Sequence, residues 1–117
     1  MSTNKIKIAI PMVQGKLCLH FGHCERFALV DVDLTERKIA GREDLVPPQH
    51  EPGVLPRWLA EQGVEMILAG GMGQRAQGLF TEQNIRVTVG LSPDTPENLV
   101  AQYLGGKLMP GVNACDH

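Results

Sequence analysis

Apolar and polar residues alternate along the start of the chain. Ile6, Ile8 and Ile10 fall on one side of Lys5 to Ile10, while Lys5 and Lys7 fall on the other, the period-two signature of a strand. Pro11 to Gly15 breaks that pattern and opens a loop. Phe27 to Asp33 (FALVDVD) reads as a second strand, ending near Leu34-Thr35-Glu36. Lys38 to Val46 is a third, antiparallel to the second because so short a connection allows nothing else.

From residue 47 the period changes. Pro47-Pro48-Gln49-His50-Glu51-Pro52-Gly53 cannot be helical throughout, because its prolines lack the donor a helix needs. A helix follows over about Val54 to Gln62, with Val54, Leu55, Trp58 and Leu59 as its apolar stripe, Pro56 in the first turn and Gly63 as the stop. Val64 to Ala69 is a short continuous apolar run, typical of a buried parallel strand. Gly70-Gly71-Met72-Gly73 turns the chain into a helix over about Gln74 to Gln83, with Ala76, Leu79 and Phe80 inward and Asn84 at its end. Ile85 to Val89 alternates as a last strand. Thr95 caps a third helix, Pro96 occupies its first position, and Leu99, Val100, Tyr103 and Leu104 form its stripe before Gly105-Gly106.

Three strands followed by helix–strand–helix–strand–helix describe an α/β fold. The expected architecture is a mixed five-stranded sheet, antiparallel first and parallel later, covered by about three helices. Residues 1–106 make a single domain and 107–117 a C-terminal tail. If the first strand is parallel to the third, fourth and fifth, the loops at 11–25, 47–53 and 70–73 share one rim. Open α/β sheets bind ligands at the carboxyl ends of such strands.

Composition narrows the function classes. A chain of 117 residues can bury a core without disulfides or a structural metal, and 43% hydrophobic with 21% charged residues is ordinary for a globular protein. A formal net charge of -2 and the absence of a Lys/Arg run argue against nucleic acid as a partner. No stretch is long enough to span a membrane, and the lysine-interrupted N-terminus does not read as a signal peptide, so a cytoplasmic location is expected. There the thiols stay reduced and available as ligands.

Histidine and cysteine then change the picture, because all of them fall in three places: Cys18-Leu19-His20-Phe21-Gly22-His23-Cys24, His50, and Cys115-Asp116-His117. Thiolate and imidazole hold soft and borderline metals. Cys18 and His20 share a side of an extended loop, while His23 and Cys24 point apart, so three of the four can meet one ion. No Cys-x-x-Cys pair is present, and five residues separate Cys18 from Cys24, which suits an open site better than a closed zinc site. The competing reading makes Cys24 a small buried hydrophobe and the histidines surface residues.

A lone His in a Pro-rich loop is more often solvated than ligating. His50 becomes a candidate through its expected place on the rim, where Glu51 could orient its imidazole. For the terminal Cys115 and His117, the ten residues from Gly105 to Ala114 span at most ~33–36 Å, against a strand of about 17–20 Å. That is enough to return to the rim or to reach a partner subunit. Gly70, Gly71, Met72 and Gly73 offer backbone amides to an anion, although a tight strand-to-helix turn would need glycine anyway. Asp31 and Asp33 could hold Mg²⁺, but as exposed carboxylates of a strand face they lack a third partner.

HFGHCERFALVDVD, QHEPGVLPRWLAEQGVEMILAGGMGQRA and the Gly-Gly after the last helix resemble the dinitrogenase iron–molybdenum cofactor biosynthesis family, with its NifX-like carriers and NifB C-terminal domains. The resemblance covers nearly the whole chain. It implies a ribonuclease-H-like fold and a role in binding iron–molybdenum cofactor or its iron–sulfur precursor. The positions it carries over are His20, Phe21, Gly22, His23, His50, Glu51 and Gly70 to Gly73. Cys18, Cys24 and the Cys115-Asp116-His117 tail go beyond that pattern.

The expected function is therefore a non-enzymatic carrier of an iron–sulfur or iron–molybdenum–sulfur cluster, with surface-accessible ligands. It would be a monomer or homodimer that exchanges its cargo with a protein donor or acceptor. The alternatives are a mononuclear Zn, Ni or Cu protein for storage or sensing, a hydrolase or nuclease on the same fold, and a thiol switch through Cys18 and Cys24.

Overall fold

β1 (Lys5–Val13) is the spine of the sheet in the computed structural model, which describes residues 5–18, 25–48 and 53–106. It pairs antiparallel with β3 (Arg26–Asp33) over eight register positions, from Lys5 opposite Asp33 to Met12 opposite Arg26. β3 in turn pairs antiparallel with β4 (Lys38–Leu45), with a register shift at Asp31/Val32. On its other side β1 runs parallel to β5 (Met66–Leu68), and β5 runs parallel to β6 (Arg86–Thr88). The order is β4-β3-β1-β5-β6.

The alternation read from the sequence sorts the core into two faces. Ile8, Ile10 and Met12 point to one, together with Ala28, Val30, Val32, Met66 and Leu68, and α3 (Pro96–Leu104) covers it with Leu99 and Val100. Ala9, Phe27, Leu29 and Ile67 point to the other, under α1 (Val54–Glu61) and α2 (Gln74–Glu82), which contribute Leu55, Leu59 and Phe80. Phe27 meets Trp58 of α1 edge to face at 5.9 Å between centroids, a favourable aromatic geometry. With both faces covered, β5 can be apolar throughout, as a central parallel strand must be.

Two expectations need correction. Pro11 does not end β1, which continues to Val13, and a sixth, two-residue strand, β2 (Lys16–Leu17), folds back on it. Gln14 and Gly15 both take positive φ, 53° and 81°, the backbone that a two-residue hairpin turn requires. Pro11 is tolerated because its pairing with β2 needs only one bond there. Its carbonyl accepts from the Cys18 amide at 2.9 Å, and its missing N–H ends the ladder. The chain therefore leaves β1 at Cys18.

The helix boundaries agree with the sequence reading to within a residue. Thr95 caps α3, its hydroxyl accepting from the Asn98 amide at 3.3 Å, with Pro96 next. Gly63 and Asn84 take positive φ just past α1 and α2, the usual left-handed helix stop. Lys7 donates to the Gln62 carbonyl at the end of α1 (3.1 Å), placing a cation where the helix dipole is negative.

Candidate functional site

Because β1, β4, β5 and β6 run the same way, their carboxyl ends form one rim, and the start of β3 joins it. Leu45, Phe27 and Pro11 lie in one row across β4, β3 and β1. All three helices begin at this rim, each following a strand that ends there. The condition set for a shared rim is met, and the segments 18–25, 46–53, 69–73 and 89–95 are rooted on it.

Residues 19–24 and 49–52 and the tail from 107 lie outside the described residues, and with them His20, His23, Cys24, His50, Cys115 and His117. The structure does describe where the first of these segments is rooted. Its leading end hangs on β1 through the Cys18 amide and the Pro11 carbonyl, and its trailing end through the Glu25 amide and the Met12 carbonyl at 2.8 Å. Just before it, the Leu17 amide donates to the Asp94 carbonyl ahead of α3 at 2.9 Å. Both feet of the His/Cys loop thus stand on neighbouring residues at the carboxyl end of one strand.

Cys18 itself is 4% exposed. The open, accessible thiolate expected from the spacing is therefore a buried one at this residue. Among the described residues no three His, Cys, Asp or Glu side chains are grouped closely enough to hold a metal ion. Asp31 lies 3.9 Å from the Lys7 ammonium, and Asp33 accepts from the Thr35 and Glu36 amides at 2.9 and 3.0 Å, holding the β3–β4 turn. Both carboxylates have structural partners on the opposite rim.

Gly70 to Gly73 stand beside the root of the loop, since β5 is next to β1. Their carbonyls are taken from inside: Gly70 by the Gly90 amide (2.7 Å), Met72 by the Gln77 side-chain amide (2.8 Å) and Gly73 by the Gln77 backbone amide (3.1 Å). Ala69 likewise accepts from Leu91 at 3.3 Å. A trans peptide aims its N–H opposite to its carbonyl. The Gly70 and Gly71 amides consequently point away from the β6 side, towards β1, and the Gly73 amide points away from Gln77.

Gly73 has φ -65°, and a Cβ built on it would meet nothing within 4 Å. Neither backbone conformation nor crowding demands glycine there, so turn geometry does not explain it.

The helix starts differ in a way that bears on charge. α1 and α2 have no side-chain cap and no acidic residue in the first turn, whereas α3 has both Thr95 and Glu97. Exposed Arg57 and Arg75 lie near the starts of α1 and α2. On the face of α1 and α2 the rim therefore presents helix amides and positive charge, which favour an anion.

A family model described as dinitrogenase iron-molybdenum cofactor matches residues 4–106. The chain belongs to this family. An uncharacterised protein of Methanocaldococcus jannaschii is 27% identical over 109 residues, 88% of this chain and 89% of its own. The same fold recurs in the crystal structure of PH0822, with a TM-score of 0.81 at 27% identity over 90% of this chain and 94% of that one. The apo form of the orange protein of Desulfovibrio gigas gives 0.70 at 22% identity over 96% and 98%, a likeness of fold alone. Within the described residues, no helix is long and apolar enough to cross a membrane.

Sequence reasoning missed the Gln77 side chain under Met72, the Lys7 cap on α1 and an ion-pair node at Arg42. Only the hairpin had a local signal, Gln14-Gly15 between apolar Met12 and Leu17. The Lys7 contact with Gln62 and the Arg42 contact with Glu97 each join residues 55 apart in the chain, and the Gln77 contact depends on how the turn before α2 folds back on the helix.

Proposed function

We propose that this member of the dinitrogenase iron–molybdenum cofactor family is a non-catalytic carrier for an anionic iron–sulfur or iron–molybdenum–sulfur cluster. The cargo passes to or from a protein donor or acceptor. The observation that carries the reading is the amide turn at Gly70–Gly73, whose Gly70 and Gly71 amides face the β1 side, next to the two feet of the His/Cys loop on Pro11 and Met12. Amides and helix N-termini stabilise negative charge without a competing metal ligand. Thiolates and imidazoles from the adjacent loop supply soft donors. His20, His23, Cys24 and His50 are the proposed ligands, with the buried Cys18 as an inner donor at the root of the loop and Cys115 and His117 as further donors from the tail.

The test is iron, molybdenum and sulfide analysis of anaerobically prepared protein, repeated on Cys18→Ala, Cys24→Ala and Cys115→Ala. Brown protein with iron and sulfide, lost on removing Cys24 or Cys18, supports the carrier reading. A colourless protein loaded with stoichiometric zinc would overturn it in favour of a mononuclear site. Metal content unchanged by every thiol deletion would remove the proposed ligands.

A further inference from the structure

Arg42 stands on the edge strand β4, with no place in any motif, yet it touches three elements around the root of the His/Cys loop. Its Nε and Nη2 donate to the two carboxylate oxygens of Asp44 at 2.8 and 3.0 Å, a forked pairing along β4. Its Nη1 pairs with Glu97 in the first turn of α3. Its Nη2 also lies 3.6 Å from the sulfur of Met12, the residue whose carbonyl holds the loop's trailing foot. The planar guanidinium can make these contacts at once, whereas a lysine ammonium has no such fork.

The start of α3 is tied to the same place. The Asp94 carbonyl accepts the Leu17 amide, one residue before the leading foot. The Asp94 carboxylate accepts from the Thr95 amide at 2.7 Å and the Asn98 side chain at 2.9 Å, so the start of the helix and the Asp94 peptide are held as one piece. Glu97 extends that piece to Arg42, and Arg42 extends it to Met12. Both feet of the loop are reached, one through Met12 and one through Asp94 and Leu17.

We propose that Arg42 is a positioning residue that fixes the base of the 18–25 loop by locking β4, the end of β1 and the start of α3 together. The consequence for cargo rests on the carrier reading. The mechanical part does not, because it can be observed in metal-free protein. An exposed ion pair alone would contribute little. Here the Arg42 side chain is only 28% exposed and has several simultaneous partners, which makes a measurable coupling reasonable.

Amide hydrogen exchange on metal-free protein tests it. In Arg42→Met, the Leu17, Cys18 and Glu25 amides should exchange about five- to tenfold faster, while those of Ala69 and Arg86, in the β5–β6 ladder, keep their protection. Glu97→Gln, which leaves the Arg42–Asp44 fork intact, should loosen the Leu17 amide, and the double variant should exchange no faster than Arg42→Met. Unchanged exchange, or equal acceleration at all five amides, overturns the proposal.

After anaerobic loading with iron and sulfide, Arg42→Met should release iron to a chelator faster than a Leu59→Ala variant destabilised elsewhere. Equal release from the two would show no positioning of the cargo. If wild-type protein holds no cluster, the carrier reading fails while the exchange result still decides the role of Arg42 at the loop base.

Discussion

Thr95 and Arg42 mark the two extremes of what one residue reveals about itself. Thr95 precedes Pro96 and a helical stripe, and those neighbours suffice to read it as a cap; the hydroxyl bond to the Asn98 amide is the result. Thr95→Ala should cost about 1 kcal/mol of unfolding free energy, read from the urea midpoint with an unchanged slope. Arg42 could not be read in this way, because Glu97 lies 55 residues away in sequence. Gly73 is a different lesson. Its residue type looked like a turn requirement, and only its φ and open surroundings show that the turn does not require it.

At the scale of elements, the start of α3 is an acid-sensitive unit. The hydrogen bond from Arg42 holds the Glu97 carboxyl below the usual range, and those from Asn98 and the Thr95 amide do the same for Asp94. Arg42 is pushed further up, chiefly by its bond to Asp44, and stays charged. Both carboxyl pKa values are depressed on folding. Their stabilisation is therefore complete above the ordinary carboxylate range, about pH 4, and is lost as pH falls through the lowered folded values. Acid titration followed by circular dichroism should show stability falling below about pH 4, with a shallower fall in Glu97→Gln. Equal slopes would mean that Glu97 is not linked to folding.

Hairpin β1–β2 shows how an element can be misread by one residue type. Pro11 looked like a breaker, yet a strand tolerates proline where its N–H is not needed. Pro11 meets that condition because only its carbonyl is engaged, by Cys18. The strand therefore carries on to Val13, and the His/Cys loop is shorter and more tightly rooted than the sequence implied.

For the whole molecule, stability resides in two apolar layers on one sheet. Leu59 is fully buried in the layer under α1 and α2, and Leu59→Ala should cost about 2–5 kcal/mol in urea unfolding. The same sheet creates the rim, because three βα connections place three helix starts at its carboxyl edge. The class of fold, the order of elements along the chain and the apolar stripes were legible from period and turn residues alone, whereas the strand order that makes the shared rim was not.

By itself the sequence determined the three helices and the strands other than the β1–β2 hairpin, the caps of α3 and the gathering of every thiol and imidazole into three short segments. Those are local properties, set by neighbours within a few residues. Tertiary structure decided that the His/Cys loop hangs from Pro11 and Met12, that Cys18 is buried, that the Gly70 and Gly71 amides face β1, and that Arg42 joins β4 to α3. Each of these depends on which strands lie side by side and on which peptide plane finds a donor across the sheet. Residues so distant in the chain become neighbours only when the sheet forms.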